Sequence, residues 1–513
     1  MKSKQHILII HFVNKALLFI IFNFHFSIFN AFSQADTIYH QFSYGGTNDD
    51  YARQIIATND SGYIVVGSTA SFGAGQSDVY VIKLDSNGHK QWSHTYGTPA
   101  IEVGNAIRQM YDSGYIIVGY TNQNTDYDVY LIKINSSGDL QWSKTIGGTD
   151  WDFGNGIELT SDSGFIICGQ TYSNPSTSAD VYIIKCNSTG AVIWEKHYGG
   201  TDYESSNAII RDRYNSYIVV GETSSNPAQD TNFYALRIKP DGDTLWTKTY
   251  AGSKFDAAYG VDTTLDGNYV LIGTTYLHNP SDSFNTSKNI LFLKIDASGN
   301  QMWSSLDGGQ KDEEGRFVKQ FSDGSLLTGG MTESFGGGGQ DVFLEHWHPN
   351  GQRFEGPTIG GSQDDAGYSA AVGKDNRMMI VGITKSYGCG LNDVYLIRKD
   401  TLSFGSCELH PPLDTICDSP IVGINELTEQ KFHLLVSPNP AHDYIKIELN
   451  PSVQSNSKNN FIRISDVAGK VIQSIEINSP IIIIKRNHIA DGIYFVGLYT
   501  ENKLFYTAKL ILF

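Results

Sequence analysis

The chain has 513 residues, a formal net charge of −17 and a hydrophobic fraction of 40%. This length exceeds one ordinary hydrophobic core and predicts several domains or an array of repeats. The 54 acidic against 37 basic residues argue against nucleic acid as a partner, because phosphate binding depends on clustered cations. The 52 glycines against 14 prolines favour many tight turns between short strands.

Residues 1–33 are predicted to be a signal peptide. Lysines precede the apolar run ALLFIIFNFHFSIF, and the small residues of AFS follow it. This order is typical of a secretory signal, with cleavage after Ser33. The alternative is a retained membrane anchor, but polar residues such as Asn23 and His25 interrupt the run.

The middle of the chain repeats in steps of 50 to 57 residues, which indicates a propeller or array because a β-helix has shorter coils. Each unit contains four strand-like runs, which in the first unit are YARQIIAT, YIVVGST, DVYVIKLD and KQWSHTYG. Four short antiparallel strands per unit, with a core formed only by stacking on neighbours, predict a β-propeller blade. The residues before the glycine-rich turns are Tyr44, Tyr96, Ile146, Tyr198, Tyr250, Asp307 and Ile359.

The seventh unit lacks a fourth strand after DVYLIRKD, whereas the predicted mature chain begins with the unaccompanied strand DTIYHQFSYGG. We expect this N-terminal strand to complete the seventh blade and close the ring, which also removes an exposed sheet edge. The predicted fold is therefore all-β, with a monomeric seven-bladed β-propeller over residues 34–404. His40 departs from the pattern, since five other units carry a tryptophan there: Trp92, Trp142, Trp194, Trp246 and Trp303.

The last part of the chain is predicted to form a second domain. Residues 405–431 contain two adjacent prolines and little periodicity, which predicts a linker. Residues 432–513 contain runs such as DYIKIEL, FIRISDV and GIYFVGLY, separated by the turns NPAHD and VAGK. These runs predict a small β-sandwich.

The repeat pattern resembles the secreted propeller repeats that accompany C-terminal sorting domains in Gram-negative surface proteins. Three segments of the tail, SPNPAHDYIKIEL, IRISDVAGKVIQS and DGIYFVGLYTENKLFYTAKLIL, resemble the motif blocks of the type IX secretion system (type A) sorting domain, in the family's order. The resemblance covers roughly the last 80 residues and implies an immunoglobulin-like sandwich that the type IX secretion machinery recognises. It implies a protein exported across the outer membrane and then attached to the cell surface or released. The chain ends in LILF, whereas many relatives end in a basic residue.

One acidic residue precedes the first strand of every unit, and these acids are candidate Ca²⁺ ligands. Because strands alternate in direction, they should lie on one face with the residues that open the third strands, and Ca²⁺ favours several oxygen ligands. The alternative is that each acid caps backbone N–H groups of its own glycine-rich turn. The candidate metal ligands are Asp50, Glu102, Asp152, Glu204, Asp256, Glu313 and Asp365. The residues that open the third strands are Asp78, Asp128, Asp180, Asn232, Asn289, Asp341 and Asp393.

Basic residues near the ends of the third strands predict ion pairs with aspartates of nearby turns, as for Lys83 and Asp60. A half-buried ammonium requires such a partner. The sixth unit departs from this pattern, because His346 and His348 share one strand face and Glu345 replaces an apolar residue. A metal site there would need a third ligand, which the sequence does not supply.

The five cysteines of an exported chain allow disulfide bonds. Cys407 and Cys417 bracket a short segment and could close a loop, with Cys389 as a competing partner for either. Cys168 and Cys186 lie in strand-like runs and are predicted to be buried free thiols.

Recognition is expected where the units differ, because loops on a rigid scaffold carry binding residues. The loops between the second and third strands vary and contain many Asn, Ser, Thr and Tyr residues, which suit hydrogen bonding to a glycan or a protein. The candidate ligand-binding residues are Tyr127, Tyr172, Tyr276, His278, Asn279 and Phe284. The alternative is that these loops are solvated turns.

Three functions stay open from the sequence. The first is a binding or adhesion module for glycan or protein, the second a carbohydrate-active hydrolase or lyase with its site at the propeller mouth, and the third a passive structural protein of the envelope. The sequence contains neither Gly-x-Ser-x-Gly nor His-Glu-x-x-His, so no catalytic residue is predicted. The turn LDSNGHKQW resembles the Asp-box of sialidase blades, but that motif is structural and no arginine cluster accompanies it.

Overall fold

The computed structural model of the chain describes residues 37–399, apart from 125, 174–177, 226–229, 251–254 and 277–286, and most of the strands between 407 and 512. The chain divides into two compact units, Met1–Gly423 and Ile424–Phe513. The predicted signal peptide, residues 1–33, lies outside the described residues. All described elements of regular structure are β-strands, and the described part has no helix that is long and apolar enough to cross a membrane.

The first unit consists of seven sheets, and six of them contain four strands that are consecutive in the chain. The first described strand is β1 (Thr37–Gly45). Blade 1 contains β2 (Asp50–Ala57), β3 (Tyr63–Thr69), β4 (Asp78–Leu84) and β5 (Lys90–Tyr96). Blade 2 contains β6 (Glu102–Gln109), β7 (Tyr115–Thr121), β8 (Asp128–Ile134) and β9 (Leu140–Ile146). Blade 3 contains β10 (Asp152–Leu159), β11 (Phe165–Thr171), β12 (Asp180–Cys186) and β13 (Val192–Tyr198).

The remaining blades follow the same plan. Blade 4 contains β14 (Glu204–Arg211), β15 (Tyr217–Thr223), β16 (Asn232–Ile238) and β17 (Thr244–Tyr250). Blade 5 contains β18 (Asp256–Thr263), β19 (Tyr269–Thr275), β20 (Asn289–Ile295) and β21 (Gln301–Asp307). Blade 6 contains β22 (Glu313–Gln320), β23 (Leu326–Thr332), β24 (Asp341–Trp347) and β25 (Arg353–Ile359). Blade 7 contains β26 (Asp365–Val372), β27 (Met378–Thr384), β28 (Asp393–Lys399) and β1.

The burial of each strand reflects its place in the blade. The second and third strands, such as β3 and β4, are buried along their whole length, because neighbouring blades cover both of their faces. The fourth strands of blades 1 to 6, such as β9, are mostly half-buried or exposed, whereas β1 is buried over residues 41–45. This stacking of sheets confirms the predicted all-β propeller fold.

The first strands of successive blades contact one another and surround the centre of the ring. The Asn105 amide donates a hydrogen bond to the Gly154 carbonyl of the next blade at 2.9 Å, and Asn155 donates to the Ser206 carbonyl at 3.0 Å. Blade 7 contacts blade 1 in the same way, because the Ile55 N–H of β2 donates to the Ser369 hydroxyl of β26 at 3.4 Å. The Tyr63 hydroxyl of β3 also donates to the Arg377 carbonyl, at 3.3 Å. The chain therefore returns to its first blade.

Strand β1 occupies the position of a fourth strand in blade 7. It pairs antiparallel with β28, with His40 opposite Arg398 and Tyr44 opposite Val394. Its Phe42 side chain is buried, and the Tyr44 hydroxyl donates a hydrogen bond to the Gly88 carbonyl of blade 1. The predicted pairing of the N-terminal strand with the seventh unit is therefore present.

The segment interpreted as a linker, residues 405–431, contains two short strands. Strands β29 (Cys407–Leu409) and β30 (Asp414–Cys417) both pair parallel with β1 along its outer edge. The physical reason is that β1 would otherwise present an unpaired outer edge. These short strands lack an apolar alternation, so the sequence did not identify them.

The predicted ion pairs are confirmed near the ends of the third strands of blades 1 to 5. The buried Lys83 amine lies 2.9 Å from Asp60, and Lys185 lies 3.0 Å from Asp162. Burial opposes ionisation of Asp60, but hydrogen bonds from Thr58 and Lys83 lower its pKa to about 2. The other pairs are Lys133 with Asp112, Arg237 with Asp212 and Lys294 with Asp266.

The cysteines separate into two kinds. Cys168 and Cys186 are free and buried, as predicted, and burial raises the pKa of each thiol to about 12. Cys389 is disulfide-bonded. The side chains of Cys407 and Cys417 lie outside the described residues, so the pairing of these two cysteines with each other or with Cys389 stays a prediction.

The second unit consists of two antiparallel sheets. Its strands are β31 (Leu434–Ser437), β32 (Tyr444–Leu449), β33 (Asn460–Asp466), β34 (Val471–Glu476), β35 (Ile481–Lys485), β36 (Gly492–Thr500) and β37 (Lys503–Leu512). One sheet has the order β31-β32-β35 and the other β34-β33-β36-β37. Ile447 and Ile484 of the first sheet share a hydrophobic core with Ile464 and Val496 of the second, which is the packing of a small β-sandwich.

Candidate functional site

The seven acids predicted as metal ligands lie at separate blade junctions on one face of the ring, here called the front face. The front face carries the starts of the first strands and the loops that join second to third strands. Each junction buries its own carboxylate, and Asp50 accepts hydrogen bonds from the Gly46 N–H and the Ser71 hydroxyl, both at 2.7 Å. Glu204 accepts from the Gly200 N–H at 2.7 Å and the Thr223 hydroxyl at 2.6 Å.

These contacts are those of turn caps. Glu102, Asp152, Glu313 and Asp365 each accept a hydrogen bond from the N–H four residues earlier, at 2.7 to 3.0 Å. The described residues contain no group of three or more His, Cys, Asp or Glu side chains that could hold a metal ion. For these six acids the geometry therefore matches the alternative in which each acid caps its own turn, while the turn before Asp256 lies outside the described residues.

The acids that open the third strands lie against the glycines of the same junctions. A Cβ added to Gly147 would lie 1.9 Å from the Asp128 carboxylate and 2.9 Å from that of Asp152. Burial raises the pKa of Asp128, and Asp152 acts in the same direction. The glycine therefore allows two carboxylates to approach one backbone segment. In the fourth repeat, the residue that corresponds to Gly147 is Ala251, which lies outside the described residues. The third strand of that repeat opens with Asn232 instead of an aspartate.

Blade 6 contains the two predicted histidines and the unexplained glutamate. Burial lowers the pKa of His346 to about 3, which keeps its imidazole neutral, and the His348 ring packs on Phe354 at 4.5 Å. Glu345 forms an ion pair with Arg353 at 3.2 Å. This ion pair accounts for an acid at a position that is apolar in other blades.

Five aromatic side chains from blades 2 and 3 meet on the front face. This aromatic cluster consists of Tyr120, Tyr127, Trp151, Phe153 and Tyr172. Trp151 contacts three of the other rings, with ring centroids 5.8 Å from Tyr127, 6.4 Å from Phe153 and 6.1 Å from Tyr172. Tyr127 stacks on Phe153 at 5.5 Å, and Tyr120 contacts Phe153 edge-on at 5.1 Å. Trp151 is nevertheless 50% exposed, so the cluster presents an apolar ring to solvent.

Backbone hydrogen bonds hold the aromatic cluster between the two blades. The Asp152 N–H donates to the Tyr127 carbonyl at 2.6 Å, which fixes the blade 2 loop against the start of β10. The Tyr172 N–H donates to the Trp151 carbonyl at 2.8 Å, which fixes the loop after β11. The rings are therefore carried by backbone segments that are paired with each other.

Polar side chains continue the surface beyond Tyr172 toward blade 4. The Tyr203 hydroxyl donates a hydrogen bond to the Gln170 side chain at 2.9 Å. Burial raises the pKa of Glu222 to about 7, with its neighbour Tyr203 acting in the opposite direction. Burial also raises the pKa of Tyr203 itself, and the nearby Glu222 and Tyr172 add to that rise. This polar group, Gln170, Tyr203 and Glu222, borders the aromatic cluster.

Two of the six predicted ligand residues belong to the aromatic cluster. Tyr127 and Tyr172 come together there, whereas Tyr276 lies on blade 5. His278, Asn279 and Phe284 lie outside the described residues. Sequence reasoning missed Tyr120, Trp151, Phe153 and Glu222, because it searched only the loops between second and third strands. The available signal was the difference from other repeats, since Glu222 aligns with residues such as Ser68 and Thr274.

We expect Glu222 to make the folded protein less stable as the pH rises. Its pKa of about 7 lies above the ordinary value of 4.5, so the folded state binds more protons than the unfolded state between these values. Stability therefore falls from about pH 4.5 to 7 and stays lower above it. Glu222→Gln should be more stable than the wild type by about 1–2 kcal/mol at pH 8 and equally stable at pH 4.5, measured by thermal unfolding. If the wild type and Glu222→Gln unfolded at the same temperature at pH 8, ionisation of Glu222 would not destabilise the folded protein.

Two family models match the chain. The secretion system C-terminal sorting domain matches residues 435–512, and a β-propeller domain of unknown function matches residues 61–89. No curated protein matches the chain. With the sheets described above, these matches define an exported β-propeller protein. Its C-terminal unit is a type IX secretion sorting domain, which directs the protein to the cell surface or to the medium.

The chain is also similar to solved structures at low identity. It is 11% identical to the extracellular domain of a putative hybrid two-component system from B. thetaiotaomicron, covering 90% of this chain and 57% of that one, with a TM-score of 0.43. It is 10% identical to PorZ, a surface component of the type IX secretion system of Porphyromonas gingivalis, covering 92% of this chain and 60% of that one, with a TM-score of 0.41. The chain therefore spans about three fifths of the length of these two proteins.

Proposed function

We propose that the exported propeller is a glycan-binding module and that the aromatic cluster on its front face is the binding site. The observation that carries this proposal is the half-exposed Trp151, held between Tyr127 and Tyr172 by rings that are themselves packed. A large aromatic ring left in solvent costs apolar burial, so its retention within a cluster of packed rings favours a ligand that covers it.

The chemistry of the surface fits a sugar. One face of a pyranose ring presents C–H groups that pack on an aromatic ring, while its hydroxyls need hydrogen-bond partners. Gln170 and Tyr203 supply such partners beside the rings, and Glu222, which is half protonated near pH 7, can both donate and accept. The site thus combines an apolar platform with polar groups at one edge, as small-ligand sites do.

The test is a glycan array with the full exported chain, followed by calorimetric titration of the sugars that bind. Trp151→Ala should weaken binding at least about tenfold, which corresponds to about 1.4 kcal/mol. Tyr111→Ala is the matched control, because Tyr111 is a 65% exposed aromatic residue on a turn at the opposite face. It should bind as the wild type does.

The proposal fails if no glycan binds, or if Trp151→Ala binds as tightly as Tyr111→Ala. A chain that binds no glycan but captures a surface protein through Trp151 would instead support protein recognition at the same face. Binding by neither route would favour the passive structural role.

A hydrolase or lyase is the second candidate, and Glu222 is the observation that favours it. A carboxyl group with a pKa of about 7 is protonated often enough at neutral pH to act as a general acid, and Tyr203 lies beside it. An enzyme would release reducing ends from a glycan that it binds. Glu222→Gln should then lose this release while still binding the glycan. Unchanged glycan after prolonged incubation would leave the binding module.

A further inference from the structure

The centre of the ring contains a cavity of about 150 Å³ that is lined by all seven first strands. The bulged fourth residue of each first strand lies there, and it is Asn in blades 2 to 4 but Arg or Tyr in the other four blades. These residues are Arg53, Asn105, Asn155, Asn207, Tyr259, Arg316 and Tyr368. The residue type at this position therefore varies around the ring, whereas an acid is present at every blade junction of the front face.

The cations of the cavity are concentrated on one side. The Arg316 guanidinium stacks on the Tyr259 ring at 4.2 Å and lies 5.8 Å from the Tyr368 ring. The Arg53 guanidinium lies 5.7 Å from the same Tyr368 ring. Two arginines thus share one aromatic side chain, which holds both guanidinium planes. The N–H groups of Arg53 are left for another partner, whereas one N–H edge of Arg316 is held by Glu314.

The charge of these cations is incompletely balanced. Arg108 pairs with Glu158 at 3.1 Å, and Arg316 pairs with Glu314. Among the described residues, Arg53 and Lys319 have no carboxylate within ion-pair distance, and the Arg316 Nε is buried without a hydrogen-bond acceptor. Among the described residues, four cationic side chains and no carboxylate line the cavity. The chain as a whole, in contrast, has a net charge of −17.

We propose that the central cavity binds an oxyanion, a carboxylate or a phosphate group, through Arg53 and Arg316. A guanidinium matches both groups with two parallel hydrogen bonds, and the Tyr368 ring between the arginines keeps the fork in place. The amide side chains of Asn155 and Asn207 are fixed by hydrogen bonds to the next blade and lie across the ring from these arginines. This site is separate from the aromatic cluster and does not depend on the proposed function.

The test measures thermal unfolding of the full chain with sodium phosphate, sodium citrate or sodium chloride at equal ionic strength. Chloride controls for screening of the exposed charges. At about 100 times the dissociation constant, the bound oxyanion should raise the unfolding temperature by about 3 °C. A shift with phosphate alone assigns a phosphate group, and a shift with citrate alone assigns a carboxylate.

Arg53→Gln is the decisive variant, because Arg53 is exposed and unpaired and its loss should not disturb folding. It should lose the oxyanion shift and show at least a tenfold weaker affinity by calorimetry. Arg213→Gln is the matched control, since Arg213 is another exposed arginine that stacks on a tyrosine, Tyr214, at 5.0 Å. Equal shifts in chloride and in the oxyanions, or a shift retained in Arg53→Gln, would overturn the proposal.

Discussion

Phe42→Asp is expected to prevent the propeller from folding. Phe42 lies on the closing strand β1, is buried, and packs in one core with Tyr80 and Leu396 from blades 1 and 7. An aspartate there would place an unpaired carboxylate in that core, which costs more than about 4 kcal/mol, a large share of the stability of an ordinary domain. Urea unfolding followed by circular dichroism should show either no folded protein or a much lower midpoint.

Leu140→Asp is the matched control for this change. Leu140 also lies on an outermost strand, β9 of blade 2, but its side chain is exposed. An aspartate there stays solvated and should change the stability by less than about 0.5 kcal/mol. If Phe42→Asp and Leu140→Asp unfolded at the same urea concentration, β1 would not be part of the ring.

Phe42→Ala provides a graded version of the same experiment. Removing a buried phenylalanine side chain typically costs about 3–5 kcal/mol, through lost burial and the cavity left behind. A propeller that survives this change with a lowered midpoint would show directly how much the closing strand stabilises. The loss should appear in the whole ring, because blade 7 contacts blade 1 through Tyr63 and Arg377.

The architecture of the ring could be predicted because it depends on positions that recur in every unit. A residue that is needed once per blade appears seven times, so the strand pattern and the acid at each junction stand out from chance. The same repeat pattern showed that the last unit lacks a fourth strand and that one unaccompanied strand lies near the N-terminus, so the two could be matched. Even the irregular His40 aligned correctly, since it lies opposite Arg398 as Trp142 lies opposite Lys133.

The candidate site could not be predicted in the same way, because it joins residues from different positions in two blades. Tyr127 precedes a third strand, Trp151 precedes a first strand, and Tyr172 follows a second strand. Their meeting depends on how the loop of blade 2 pairs with the start of blade 3, which no single repeat contains. The sequence showed that these aromatic residues are present but not that they lie in contact with one another.

The central cavity was missed for a different reason. Its residues occupy one aligned column, from Arg53 to Tyr368, but that column lies inside a first strand and at a bulge. An alternating pattern does not tell which face of a first strand points to the ring centre. The column can be recognised once the bulge is known, because the bulged residue of each first strand then aligns across all seven blades.

Ile464→Asp in the C-terminal unit is expected to abolish export of the whole chain. Ile464 is fully buried in the core shared by the two sheets of the sandwich. A domain of this size has only a few kcal/mol of net stability, and a buried unpaired carboxylate exceeds that margin. The propeller should still fold, since the first unit is compact by itself, and the full-length protein should accumulate inside the cell.

Cell fractionation with immunoblotting, together with protease treatment of intact cells, measures this outcome. Ile483→Asp is the matched control, because Ile483 lies in the same domain on β35 and is 66% exposed. It should reach the surface or the medium as the wild type does. Export of Ile464→Asp at the wild-type level would mean that the secretion machinery reads a linear segment of residues 435–512. If Ile464→Asp loses export and Ile483→Asp does not, the secretion machinery reads the folded sandwich, because the two variants add the same charge to the same domain.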